Sequence, residues 1–298
     1  LAAPARRAGA RGERDMKKKS GWNAPLVLLG VWTLLLVLFP LMYVLLMSFL
    51  TTGESFGVEY KLTLANYRRL LEPQYCGVYR SSLRIACLTT AFTLLLGYPF
   101  AWFLSRQRER TRNVLLMLVV IPFWTSALMR TYGWMILLRN KGLLNGLLQA
   151  LHLIDRPIRM LNTPGAVLLG MTYSLLPFMI LSIYTSVEKL DYSLVEAARD
   201  LYASPLQVFC TVILPQTLPG ILSGCVLVFV PAAGMYFISD LLGGGSGMLL
   251  GNLIKNEFMQ ARNWPMGATL SIAMLVFTTV FIYLYKKVTG AKTLGGLR

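Results

Sequence analysis

Hydrophobic residues in this chain fall in long runs separated by short charged segments. No Asp, Glu, Lys or Arg occurs between Lys19 and Glu54. Further uncharged runs lie between Arg84 and Arg106, Arg112 and Arg130, Arg159 and Glu188, Asp200 and Asp240, and Arg262 and Lys286. Each run supplies the roughly 20 helical residues that cross about 30 Å of hydrocarbon. The pattern predicts six spans, at about 25–50, 83–104, 113–138, 165–187, 217–241 and 266–285. Helices satisfy their backbone hydrogen bonds in lipid, and these runs are too long for barrel strands.

Composition agrees. The chain of 298 residues is 55% hydrophobic and 14% charged, where a soluble domain carries about 25% charge. The missing charge implies that lipid solvates much of the surface. The net charge of +16 does not indicate nucleic acid, because the basic residues sit between apolar runs, where they act as topology signals. They cluster before span one (Arg6, Arg7, Arg11, Arg14, Lys17, Lys18, Lys19), after span two (Arg106, Arg108, Arg110, Arg112) and after span six (Lys286, Lys287, Lys292, Arg298). With six spans these segments share one side, and the positive-inside rule makes it cytoplasmic, with both termini there. Residues 1–21 are expected to be a disordered basic extension in which Met16 resembles a natural start, 22–288 the membrane domain, and 289–298 a cytoplasmic tail. The opposite loops are longer and less basic. One contains Leu143, Leu144, Leu147, Leu148 and Leu151 on one helical face, a surface helix too short to span.

Chemistry-bearing residues are few. Cys76, Cys87, Cys210 and Cys225 form no C-x-x-C pair, and the single histidine, His152, cannot make a zinc site alone; no metal site is expected, and packing or interfacial placement accounts for His152. No catalytic residues are expected: H-E-x-x-H and G-x-S-x-G are absent, and Gly243-Gly244-Gly245-Ser246-Gly247 lacks a P-loop lysine. Pro40, Pro99, Pro122, Pro177 and Pro231 interrupt spans and can kink them, either as ordinary packing or to shape a cavity. Gly220 and Gly224 form a G-x-x-x-G, which permits close helix approach.

The segment at 188–216 differs from the other basic-side connections. Leu194, Ala197, Ala198 and Leu201 recur at helical spacing, with Glu196, Arg199 and Asp200 on the other side. Ser204 can cap a second short helix, with Pro205 in the favoured first position. Two short helices there would make a docking platform. Glu196-Ala197-Ala198 followed by Ile213-Leu214-Pro215 resembles the E-A-A loop of ABC importer permeases. The resemblance implies a type I importer permease of six transmembrane helices, whose loop at 188–216 couples to a cytosolic ATPase through Glu196, Ala197, Ala198, Asp200, Tyr202, Leu214 and Pro215. Glycine usually stands where this chain has Tyr202. A tyrosine in the left-handed conformation costs roughly 1–2 kcal/mol, so either the turn shifts to Ala203-Ser204-Pro205 or coupling is altered.

Longer stretches, YPFAWFL at 98–104, IPFWTSALMRTYGW at 121–134, EKLDYSLVEAARDL at 188–201, FISDLLGG at 237–244 and NWPMGA at 263–268, resemble the spermidine/putrescine importer permeases, specifically the first of their two permease subunits. This implies a bacterial inner-membrane protein that works with a second related permease, two ATPase subunits that hold ATP and Mg, and an extracytoplasmic polyamine-binding protein. The chain itself would bind no cofactor. A polycation needs carboxylates and aromatic faces along its path. Asp240 and Tyr236, one turn apart in the fifth run, fit that need, as do Trp124, about 16 Å into span three, and Glu257 in the last outer loop. Asp240 is otherwise a helix-end carboxylate, and Trp124 and Tyr236 are otherwise packing residues. Arg130, near the outer end of span three, is read as snorkelling. A permease for another small solute, such as an anion, thiamine or iron, is the nearest alternative, followed by an ion channel or secondary transporter.

Overall fold

A computed structural model describes residues 23–53, 57–245 and 248–289. The expectations for 1–21 and for most of the tail, Lys292 and Arg298 included, fall outside these residues, as do Ser246 and Gly247. The described chain is almost entirely helical: α1 (Pro25–Ser48), a hairpin of β1 (Leu50–Thr52) and β2 (Val58–Leu62), α2 (Ala65–Arg69), α3 (Pro73–Ser105), α4 (Glu109–Trp124), α5 (Ala127–Leu137), α6 (Leu143–Ala150), α7 (Pro164–Val187), α8 (Tyr192–Asp200), α9 (Pro205–Gly234), α10 (Tyr236–Gly243), α11 (Leu250–Met259) and α12 (Trp264–Thr289). Among the described residues five helices are long and apolar enough to cross a membrane, six if α4 and α5 count as one span.

The core is the triplet α3, α7 and α9, filled by Leu175, Met179, Ile183, Val187 and Val228, all essentially inaccessible. Gly220 and Gly224 face α7. A Cβ on Gly220 would lie 2.4 Å from Ser186 Oγ and 2.7 Å from the Ser182 carbonyl, and one on Gly224 would lie 2.6 Å from Met179 Sδ. The Ser182 hydroxyl donates to the Gly220 carbonyl at 3.0 Å. The G-x-x-x-G therefore serves a contact inside this chain. Gly220→Ala is expected to lower the thermal midpoint of the purified protein, because its methyl meets backbone as well as a side chain and the helices must separate, at a cost of about 1–3 kcal/mol; an unchanged midpoint would refute the close contact.

Two turns widen to π geometry, Leu34–Leu38 and Phe209–Ile213. Each precedes a proline by two residues, Pro40 and Pro215. A proline ring clashes with the carbonyl four residues earlier, here at Leu36 and Thr211, the middle of each widened turn. The bulge relieves that clash without breaking the helix.

Two expected continuous spans are interrupted. Span three, expected at 113–138, bends by 92° between α4 and α5, through a 3-10 turn at Ile121–Trp124 and extended backbone at Thr125. Arg130 braces this bend: one guanidinium nitrogen donates to the Pro122 carbonyl and, at 3.1 Å, to that of Thr125. The guanidinium lies 5.3 Å from the centre of the Phe123 ring, which packs on Phe178 of α7. Arg130 thus has fixed partners within the chain: the bend frees carbonyls that need donors, and Pro122 accepts from the Thr125 hydroxyl at 2.8 Å as well. Span five, expected at 217–241, ends at Gly234, and Met235 takes extended backbone (ψ 103°) before α10 begins. Asp240 consequently lies on α10, beyond the end of the continuous helix. The segment between spans five and six, expected as the last outer loop, instead folds α11 back onto α3, α9 and α12. Gly244, at φ 50°, makes the reversal after α10; a Cβ there would strike Asn162 at 2.2 Å.

α1 packs on α12 through its second half, and the apolar side chains of its first half are exposed. α6 is a surface helix with Leu143, Leu147 and Leu151 exposed, anchored by buried Asn145, whose side chain exchanges hydrogen bonds with the Ile158 backbone. His152 is exposed in a left-handed turn (φ 54°) after α6, so it is not a packing residue. The four cysteines are free.

Candidate functional site

The loop at 188–216 forms two short helices. Asp191 caps α8, accepting from the Ser193 N–H at 3.0 Å and its hydroxyl at 2.7 Å, and these donors hold its carboxyl below the usual carboxylate range. Ser204 caps the start of α9 in a reciprocal pair with Gln207, and Pro205 takes the first position. Between them Tyr202 itself takes the left-handed conformation, at φ 58°. The turn has not shifted toward Pro205. The tyrosine side chain is 97% exposed and gains no packing in return for the strain.

Of the apolar stripe on α8, only Ala198 turns toward the chain's own core. Val195 is buried with Leu190, Val208 and Ile213, and Ala198 packs beside them. Leu194 and Leu201 point outward with Tyr202 and Leu206. Glu196, Ala197 and Asp200 are exposed as well. Leu214 packs against the core, and Pro215 sits at the head of the regular part of α9. The platform thus presents an apolar strip with a carboxylate on each side of Ala197 and Ala198. At its root, Glu188 accepts from the Tyr184 hydroxyl at 2.6 Å and pairs with Arg112 of α4 at 3.4 Å, which ties the loop to span three.

At the other end of the bundle, α10 and α11 bring a second set together. The Asp240 carboxylate pairs with the Lys255 ammonium and accepts from the Asn252 amide. Lys255 Nζ also lies 5.8 Å from the centre of the Tyr236 ring. Asn252, buried, donates to the Tyr236 carbonyl at 3.1 Å and accepts from the Leu249 N–H at 3.3 Å, so it pins the start of α10 to the start of α11. Sequence reasoning missed Lys255 and Asn252. The signal was present: Lys255 is the sole basic residue between Arg199 and Arg262, as Asp240 is the sole acid between Asp200 and Glu257.

Glu257 and Trp124 are not part of this set. Burial pushes the Glu257 carboxyl above the usual carboxylate range against the opposing pull of Arg69, and its charge acts in turn on the Tyr75 phenol. A carboxyl raised in the folded state costs stability once pH climbs past its ordinary value, and that cost is absent at lower pH where both states are protonated. Glu257→Gln should therefore raise the thermal midpoint at pH 7 to 8 and leave it unchanged near pH 4; an equal shift at both pH values would mean that charge is not the cause. Trp124 stands at the bend of span three, exposed. Among the described residues no group of three His, Cys, Asp or Glu is placed to hold a metal.

Residues 75–289 match the binding-protein-dependent transport system inner membrane component family. The chain belongs to this family. This permease is 46% identical over 263 residues to the spermidine/putrescine transport system permease protein PotB of Salmonella typhimurium, covering 88% of this chain and 92% of that one. It is 47% identical over 254 residues to PotB of Escherichia coli K12, covering 85% and 92% respectively. A crystal structure of a bacterial ABC transporter for the acidic polysaccharide alginate superimposes with a TM-score of 0.77 at 16% identity, over 95% of this permease and 99% of that chain. That likeness fixes the fold as that of an ABC importer permease. The permease is an inner-membrane protein.

Proposed function

We propose that this permease forms one half of a polyamine importer, moving spermidine or putrescine into the cytoplasm by alternating access. The observation that carries the reading is the carboxylate of Asp240 beside the ring of Tyr236, which already hold an ammonium, that of Lys255. A carboxylate with an aromatic face is the chemistry that takes a primary amine. Kinship with the PotB permeases supports the same cargo. An anion path would need Lys255 unpaired, and here its charge is neutralised by Asp240.

On this reading the basic segments and the loop at 188–216 face the cytoplasm, as do both termini. The outward strip of Leu194, Ala197, Leu201 and Tyr202, flanked by Glu196 and Asp200, docks on an ATPase subunit. Two such subunits bind ATP and Mg; this chain supplies neither cofactor nor hydrolysis. A second related permease completes the translocation path and covers exposed apolar surface such as the first half of α1. A polyamine-binding protein delivers cargo at the opposite end, near α10, α11 and Glu257, with Trp124 facing the shared path. Closure of the ATPases moves the loop, and the Arg112–Glu188 pair passes that motion to span three.

Radiolabelled spermidine uptake tests the reading, with all four components expressed in cells lacking their own polyamine importers. The wild type should take up spermidine in an ATP-dependent manner, and Asp240→Asn should reduce the rate at least tenfold, about 1.4 kcal/mol of lost cation stabilisation. Normal uptake by Asp240→Asn would remove Asp240 from the path. No polyamine uptake by an assembled wild-type transporter would overturn the cargo.

A further inference from the structure

Lys255 is not accounted for by the transport reading. A cation path gains nothing from a fixed cation set against its best carboxylate, since like charges repel along the route. Yet the Lys255 ammonium sits on Asp240 and near the Tyr236 ring, in the place the incoming amine is argued to take.

We propose that Lys255 is a tethered competitor for the transported cation: its ammonium fills the Asp240–Tyr236 site while the permease is empty, and the cargo's amine must displace it. The inference rests on the reading of Asp240 as a cargo carboxylate. The chemical match is close. A lysine side chain is four methylenes ending in an ammonium, which is the aminobutyl arm that putrescine and spermidine both carry. A site that accepts the one accepts the other with the same reach.

The geometry permits exchange. The side chains of Lys255 and Asp240 are each about one-third exposed, at 33% and 34%, so the pair is open to water on one side and Lys255 can swing away on its flexible stem. Asp240 is not stranded when it does. Asn252 stays anchored through the Tyr236 carbonyl and the Leu249 N–H, and keeps its amide on the carboxylate. The buried part of the cluster is thus the fixed receptor, and the half-exposed lysine is the movable occupant.

Two consequences follow for transport. An empty site presents no unpaired carboxylate, which would be costly in low dielectric and open to inorganic cations. Release of cargo is assisted, because Lys255 returns as the amine departs and the carboxylate passes from one ammonium to the next. The permease's own affinity for cargo is correspondingly weakened, since only the fraction of molecules with Lys255 swung out can bind.

Spermidine binding to the intact transporter in nanodiscs, without its binding protein or ATP, tests this directly. Lys255→Met should tighten the dissociation constant by about tenfold or more, as expected if the site is free a tenth of the time or less. Lys255→Arg, which keeps the charge, should bind as weakly as the wild type, and the double variant Asp240→Asn, Lys255→Met should lose the gain. A lysine that merely straps α10 to α11 predicts no tightening in Lys255→Met; that result, with binding weakened by Asp240→Asn, overturns the competitor and leaves Asp240 as the cargo site. Wild-type binding by Asp240→Asn overturns the cargo site itself. The wild-type protein offers a second measurement that needs no substitution. With a brief pulse of an amine-labelling reagent, kept well below the concentration of saturating spermidine so that most of the ligand stays unreacted, labelling of Lys255 relative to exposed Lys61, read by peptide mass spectrometry, should rise severalfold; a ratio unchanged or reduced by spermidine contradicts displacement.

Discussion

Arg130→Met lowers the yield of correctly assembled permease at least tenfold, read as the monodisperse fraction in size-exclusion chromatography from membranes of equal expression. The methionine keeps the length of the side chain and much of its contact with Phe123, so the variant isolates the donors. Without them the carbonyls of Pro122 and Thr125 lose their guanidinium partner at the bend of span three. The loss at Thr125 costs about 1–3 kcal/mol where water cannot substitute, while the Pro122 carbonyl still accepts from the Thr125 hydroxyl at 2.8 Å and its N–H at 3.3 Å. Arg130→Lys keeps a charge but not the fork, and should recover part of the yield. A wild-type yield from Arg130→Met would show that the Phe123–Phe178 contact holds the bend by itself.

The second large effect is at the loop 188–216. Val195→Asp abolishes uptake while the spans remain folded, because it places an unpaired carboxylate among Leu190, Val208 and Ile213. Burying that charge without a partner costs more than about 3 kcal/mol, more than a nine-residue helix retains from its own hydrogen bonds and cap. Helix α8 must leave its seat. Limited proteolysis should then cut within 188–216 at least tenfold faster than in the wild type. Leu194→Asp lies one residue earlier on the outward strip, and should leave proteolysis unchanged while reducing ATPase co-purification. If the two variants behave alike, the assignment of inward and outward faces is wrong.

That contrast also marks how far the sequence could be read. The helices of the membrane domain were legible because hydrophobic runs free of charge have few structural options. The two short helices of the loop were legible too, since Asp191, Ser204 and Pro205 carry local capping chemistry that does not depend on the rest of the fold. The face of α8 was not. Leu194, Ala197 and Leu201 make an apolar stripe as regular as any core stripe, and a surface built to meet another protein has the same composition as one built to meet its own chain. The breaks at Thr125 and Met235 were hidden for a related reason: the residues on both sides are equally apolar, and what stabilises the first break is an arginine several positions along that looked like a membrane-edge cation. Asp240 was picked out as a rare charge, but its partner came from a helix expected as loop. Pairing between distant lone charges becomes visible only when the chain folds back.

The π turn at Phe209–Ile213 gives the sequence a change of phase. From its last residue, Ile213, buried positions follow one helical face: Thr217, the adjacent pair Gly220 and Ile221, Gly224 and Val228. Across the turn, Val208 and Ile213 are both buried although they lie five apart. The widened turn absorbs the extra residue and keeps the seat of α8 aligned with the face that α9 shows to α7. Deleting a single residue between 209 and 213 would leave Val208 and Ile213 four apart, an ordinary α-helical step, so the turn can close to α geometry with both still on one face. The stretch therefore holds one residue of slack: most substitutions at exposed Cys210 leave the alignment intact, while inserting a further residue, beyond what the widened turn absorbs, would rotate everything upstream by about 100° and turn the outward strip toward the wrong neighbour.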